Sequence, residues 1–223
     1  WGERVIAISR AVERHLTDDW GLSPERVAYV PHGVERLCGD AESAAGRARA
    51  RQDLHLHPAT VLVGTLGRLS PVKGYHVLVE AMAAPRDLPV QWALIGDCAE
   101  AARLDRRIAE LGLAPRVRRI PGIPNHHDIL HAFDIFCAPS LQEGLGLSVL
   151  DAMARGTAVV ASRVGGLPDL IQDGETGRLV PPGDPVALAA GIRELALDAA
   201  GRSRMGNAAR RFVEREFTLG RMI

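Results

Sequence analysis

Short apolar runs separated by amphipathic stretches recur along most of the chain. Residues 60–66, 90–95, 117–120, 134–138, 157–161 and 178–180 are dense in Val, Ile, Leu and Ala. They are too short for helices and predict strands, with 60–66 and 135–138 buried. Between them the apolar positions fall at helical spacing. A helix over 71–84 turns Val77, Leu78, Ala81 and Met82 inward, and others follow over 99–111 and 126–132. From about Leu147 a helix carries Leu147, Leu150, Met153 and Ala154 on one face. Two closing helices are expected over 185–197 and 202–217. The second has Met205, Ala208, Ala209, Phe212 and Val213 on one side and Arg202, Arg204, Arg210, Arg211 and Arg215 elsewhere. A basic amphipathic helix can rest on an anionic membrane; here the apolar face is expected to pack on protein.

Strands joined by helical crossovers predict an α/β fold: a Rossmann-like, doubly wound parallel sheet of about six strands. Its ligands belong in the crevice at the strands' carboxyl ends. Ahead of this sheet, 4–9 and 26–30 read as strands around a helix over 10–20, with Val12, Leu16 and Trp20 on one face and Gly21 closing it. Residues 35–59 are small, polar and Arg-rich, with a helix over about 41–54. Its Arg47, Arg49, Arg51 and Asp53 are expected on a solvated face.

Composition narrows the function. The chain of 223 residues is 47% hydrophobic and 24% charged, with a formal net charge of zero. That is ordinary for a globular domain and offers no electrostatic footprint for nucleic acid. Three cysteines, Cys38, Cys98 and Cys137, stand far apart and read as reduced thiols, neither a disulfide frame nor a zinc site. No apolar run is long enough to span a bilayer. The chain enters a strand almost at once, as expected of a longer protein whose start lies upstream.

The candidate chemistry lies at the predicted carboxyl ends. After the strand 134–138 comes Pro139-Ser140-Leu141-Gln142-Glu143-Gly144-Leu145-Gly146-Leu147, then the helix that carries Asp151. Gly144 and Gly146 allow a tight loop with exposed N–H groups, and a helix N-terminus adds a positive dipole end, which suits a phosphate. Asp151 has an ordinary reading as an acid near a helix start; Glu143 stands in a loop that needs no carboxylate. After the strand 60–66 comes Gly67-Arg68-Leu69-Ser70-Pro71-Val72-Lys73-Gly74. Two cations beside a helix start would suit a diphosphate; taken alone, two exposed surface cations are the favoured reading. After 90–95, Gly96-Asp97-Cys98 forms a turn, and Pro121-Gly122-Ile123-Pro124 follows 117–120. His127 and His131, at i and i+4, have the spacing of a zinc pair but lack the embedded acid, so a solvated helix face is expected.

The text from Pro139 to Ala154 resembles the acid-x7-acid signature of the retaining glycosyltransferases often called family 4, whose fold is GT-B. Asp151 stands where most members carry Glu. Gly67 to Gly74 resembles a second signature of that family, correctly placed about seventy residues earlier. Val159 to Asp169 and Asp173 to Val180 continue the family's text, with Gly165 and Gly166 expected to permit a close turn near the cleft.

The resemblance implies the C-terminal half of a GT-B fold. Residues 1–34 would be the end of the N-terminal acceptor domain and the start of the linker. Residues 35–200 would be the nucleotide-sugar-binding domain, and 201–223 the helix that crosses back. It implies retaining transfer from a UDP- or GDP-sugar to a glycan or lipid-linked acceptor in cell-envelope polysaccharide or glycolipid synthesis. No cofactor and no metal are implied, since Arg68 and Lys73 would hold the diphosphate. Glu143 would meet the sugar hydroxyls and Asp151 the ribose. Gly67, Gly96, Gly144, Leu145, Gly146 and Leu147 would line the donor site, with Ile123 and Pro124 under the base. A cytoplasmic place is implied, with any peripheral membrane contact falling to the N-terminal domain.

Two other classes fit parts of this text: a non-catalytic nucleotide-binding module and a GT-B sugar-nucleotide epimerase. A dinucleotide oxidoreductase is the outsider, because no G-x-G-x-x-G follows the first strand of the main sheet. This chain alone is expected to bind nucleotide without transferring sugar. Residues 1–20 are expected to be disordered, repacked on the domain or paired with another copy.

Overall fold

The computed structural model describes residues 2–34, 40–68, 70–97, 101–122 and 127–222, with the side chains of 40–43 and 127 outside that description. Among the described residues, eight strands form two sheets. β1 (Val5–Ala7) and β2 (Val27–Tyr29) make a two-stranded parallel sheet. The main sheet takes β3 (Val61–Leu66), β4 (Val90–Ile95), β5 (Val117–Ile120), β6 (Ile135–Ala138), β7 (Ala158–Ser162) and β8 (Arg178–Val180). All its pairings are parallel, in the order β5-β4-β3-β6-β7-β8. The order reverses between β3 and β6, and a crevice opens at their carboxyl ends.

The central strands β3, β4, β6 and β7 bury alternate side chains on opposite faces, while β5 at the sheet's edge is only half-buried. Val63, Trp92, Leu94, Cys137 and Val160 pack under α3 (Tyr75–Ala81), α4 (Ala101–Glu110) and α8 (Pro185–Leu197). Leu62, Ala93, Ile95, Phe136 and Val159 pack under α2 (Asp40–Asp53), α5 (His127–Leu130), α6 (Leu147–Ala154), α7 (Leu167–Leu170) and α9 (Ala199–Glu216). The doubly wound reading therefore holds. α9 lays Ala209 and Val213 on that second face, as expected of a helix packing on protein. Past its end, Val34 N–H donates to Phe217 C=O at 2.8 Å, so the chain's final turns, including α10 (Leu219–Met222), meet the segment that follows β2.

Several expectations are corrected. The helix over 71–84 is two pieces: a single 3₁₀ turn at Pro71–Lys73, then α3, separated by Gly74 at φ 67°. Trp20 and Leu147 are exposed and do not share their helices' buried faces. Trp20 follows a π-helical stretch, His15–Asp19, that rotates it away from the face of α1 (Arg10–Arg14). Arg47 and Arg51 are not a solvated face. Both clasp Asp134, at 2.6 and 2.9 Å, and Asp134 also accepts from Leu62 N–H at 2.8 Å. His131 lies beyond α5, against Gly46 of α2.

The opening segment is ordered. β1 pairs with β2 of its own segment, Val5 with Val27 through Ala7 with Tyr29. Ser9 caps α1, and the Arg10 N–H donates across to Asp169 Oδ2 at 2.6 Å. Of the three outcomes expected for residues 1–20, residues 2–20 show repacking on the domain: β2 pairs one edge of β1 and the start of α1 docks on α7.

Candidate active site

The site grows from two loops that leave adjacent strands. One leaves β3 and carries Gly67, Arg68 and Lys73; the other leaves β6 and carries Pro139 to Gly146. Gly74 lets them touch. A Cβ there would fall 1.9 Å from Pro139 O, and φ is positive. No other residue type allows both. Across this contact the N–H groups of Leu141 and Gln142 donate to Val72 C=O at 2.7 and 3.1 Å. The stitched loops bring Lys73 Nζ to 2.5 Å from Glu143 Oε2. Ser140 Oγ donates to the same oxygen at 3.3 Å. Glu143 is 12% exposed at its side chain, so this pair is only weakly screened by solvent.

A second turn holds the Glu143 loop from the other side. Gly165, at φ 53°, approaches so closely that a Cβ would lie 1.7 Å from Glu143 O. Gly166 N–H donates to that oxygen at 3.3 Å. Gly165 and Gly166 therefore provide the close turn expected of them. Gly146, at φ 101°, opens α6, and no side chain caps that helix among the described residues. The N–H groups of Val149 and Leu150 turn back to Gly146 C=O at 2.9 and 3.0 Å, which leaves those of Leu147 and Ser148 as the donors at the positive end of the helix. Leu145 is buried beneath and Leu147 exposed above.

A pit of about 10 Å³ lies at the centre, lined by Thr65, Lys73, Tyr75, Ser140, Glu143 and Ser148. Tyr75 hydroxyl donates to Gly67 C=O at 3.4 Å, tying the start of the β3 loop to α3. Cys137 lies below, fully buried, and burial pushes its thiol well above the ordinary range. A buried, protonated thiol is a poor nucleophile. Cys137 is expected to resist alkylation in the native protein and to react on unfolding, which mass spectrometry after iodoacetamide treatment would read.

The remaining site residues divide. Arg68 is exposed at the end of β3 and has no ion-pair partner among the described residues. Asp151 stands in the second turn of α6, beside Arg155, whose Nη1 lies 4.0 Å from Asp151 Oδ1. It is therefore past the first turn, where an acid would answer the dipole. Gly96 abuts the β3 loop, with Gly67 O 1.9 Å from where a Cβ would stand. Asp97 accepts from Gly122 N–H at 3.1 Å, joining the turns after β4 and β5. Ile123, Pro124, Leu69, Cys98 and Cys38 lie outside the described residues. Among the described residues no group of three or more His, Cys, Asp and Glu could hold a metal ion, and no helix is long and apolar enough to cross a membrane. Ser140, Tyr75, Ser148 and Asp169 had no assigned part in the sequence reading. Ser140 was visible only as a letter of the signature around Glu143.

The parallel sheet, with its cation and carboxylate at the reversal point, is the Rossmann-like half of a GT-B fold. The chain belongs to the glycosyl transferases group 1 family, whose model matches residues 47–212. It is 36% identical over 206 residues to the D-inositol 3-phosphate glycosyltransferase of Geodermatophilus obscurus, covering 86% of this chain and 45% of that protein. Its likeness to the Corynebacterium glutamicum protein of the same name is 36% over 218 residues, 92% of this chain and 52% of that one. The chain thus spans about half the length of these relatives. Among solved structures, Anabaena HepE in complex with UDP and glucose superposes with a TM-score of 0.90 at 27% identity, over all of this chain and 61% of that one. A Thermosynechococcus elongatus sucrose-phosphate synthase superposes at 0.86 with 30% identity, over 100% and 56%.

Proposed function

We propose that this chain is the donor-binding part of a retaining glycosyltransferase that uses a nucleotide-diphosphate sugar. The observation that carries this reading is the Lys73–Glu143 pair, at 2.5 Å, beside the uncapped start of α6 at the sheet's reversal point. In this reading Lys73 and Arg68 neutralise the diphosphate as it leaves. The N–H groups of α6 add donors where charge grows. Glu143 accepts hydrogen bonds from the sugar, and Asp151 holds the ribose. HepE was solved with UDP, which favours a uridine donor over a guanosine one. The acceptor is a glycan or lipid-linked hydroxyl; the relatives' name adds D-inositol 3-phosphate as an acceptor to test.

Calorimetric titration with UDP, GDP and ADP tests the donor half. Binding of one of them is expected, and binding of none would remove the reading. Incubating the intact enzyme with the matching sugar nucleotide and each acceptor class then separates transfer from epimerisation. The anomeric configuration of the product, read by proton coupling, tests retention.

Two further outcomes are expected. Transfer persists in a chelator, because two cations and a helix end take the place of a metal; activity lost in EDTA and restored by magnesium or manganese would contradict this. Asp151→Asn weakens nucleotide diphosphate and sugar nucleotide alike, by roughly tenfold to 150-fold, the scale of a hydrogen bond to a charged group. A loss confined to the sugar nucleotide would exchange the roles of Asp151 and Glu143.

A further inference from the structure

Glu143 is held by two groups, and both act on one oxygen. Lys73 Nζ lies 2.5 Å from Oε2 and Ser140 Oγ 3.3 Å from it. Among the described residues no hydrogen bond falls on Oε1. Ser140 itself is 2% exposed, so water has little access to take the place of its hydroxyl. Its backbone is fixed too, one residue past Pro139 and one before Leu141, whose N–H is bonded to Val72 C=O.

The two contacts differ in kind. A lysine ammonium is a compact charge on a flexible stem and can follow either carboxylate oxygen. It also has three N–H groups, and a diphosphate arriving at the β3 loop would claim some of them. The Ser140 hydroxyl is short, buried and directional. It holds the oxygen that faces it, and with it the plane of the carboxylate, whichever way Lys73 turns.

We propose that Ser140 is a positioning residue: its hydroxyl pins Glu143 Oε2 so that Oε1 is the oxygen offered to the donor sugar. This deepens the donor-site reading and rests on Glu143 as the sugar contact. Ser140→Ala frees the carboxylate to rotate but leaves the backbone that presents α6. Recognition of the sugar then falls while recognition of the diphosphate stays.

The test is calorimetry on the full chain with UDP and UDP-glucose, GDP and GDP-mannose, and ADP and ADP-glucose, using the pair whose diphosphate binds most tightly. Wild type, Ser140→Ala and Glu143→Gln are compared. Ser140→Ala is expected to leave the diphosphate Kd within about twofold and to raise the sugar-nucleotide Kd about fivefold, the worth of one hydrogen bond. Glu143→Gln should shift the same ratio in the same direction. Equal weakening of both ligands by Ser140→Ala, or no change in either, overturns the proposal, since loop support alone would give that result. If Glu143→Gln shifts the ratio and Ser140→Ala does not, the positioning role falls and the donor reading stands. If no diphosphate binds wild type, or Glu143→Gln leaves the ratio unchanged, the donor reading falls and takes this role with it.

Discussion

Lys73→Ala in the intact enzyme is expected to lower kcat/KM for transfer by roughly 10²–10³, or about 3–4 kcal/mol. The lysine sits on a turn whose position is over-determined. Gly74 brings the turn against Pro139 O, and two N–H groups of the neighbouring loop bond to Val72 C=O. The backbone is thus placed before any ligand arrives and the ammonium rests on Glu143 beside the crevice, and such preorganisation is what makes an electrostatic contribution large. Substitution by alanine costs the transition state that charge. It also leaves Glu143, largely buried, without its counter-ion. The loss should therefore appear in kcat as well as KM, and sugar-nucleotide binding should weaken with it. Arg68→Ala is expected to lose rate to the same order only if the exposed guanidinium swings onto the diphosphate. Steady-state kinetics of both variants checks this, and Lys73→Ala activity within a few-fold of wild type would remove Lys73 from the chemistry.

The strands were legible because buried parallel strands read as continuous apolar runs bounded by turn residues. Both glycine-rich loops were legible as turns between a strand end and a helix start, again from local composition. The meeting of their charged members was not. Lys73 and Glu143 read as ligands for different parts of a donor, yet in the structure they pair with each other. That contact depends on β3 and β6 being neighbours, with Val63 beside Ile135, which no local pattern shows. The break at Gly74 is hidden similarly. A glycine near a helix start looks permissive until Pro139 O is seen where its Cβ would be.

Arg47 and Arg51 failed as surface residues for the same reason at longer range. Their charged positions on a polar helix look solvated, but Asp134, more than eighty positions later, draws them inward. Leu147 failed in the opposite sense. Helical periodicity assigns it to the core, but it is the first residue of α6, where the chain has only just left the crevice, and it remains 51% exposed.

Asp134→Ala is expected to destabilise the chain by about 3–5 kcal/mol, the scale of breaking a buried ion pair from one side. Its side chain is 10% exposed and receives Arg47, Arg51 and the Leu62 N–H, with Arg202 Nη2 at 3.9 Å. Arg51 is only 12% exposed, so removing the acid strands a guanidinium beside the carbonyls of Thr60 and Ala132, which satisfy its hydrogen bonds without its charge. Arg47 is more exposed and recovers part of its hydration. Asp134→Asn keeps the size and an acceptor for Leu62 N–H and should lose less, chiefly the charge. Urea unfolding would show a lower midpoint with an unchanged slope in both variants; a loss below about 1 kcal/mol in Asp134→Ala would mean the arginines reach water. Asp134 also stands at the amino end of the strand whose carboxyl end leads to Glu143. At a temperature where the variant stays folded, nucleotide affinity is expected within a few-fold of wild type. The anchor of α2 and the crevice around Glu143 lie at opposite ends of β6, so damage at one end should change stability and leave the other end in place.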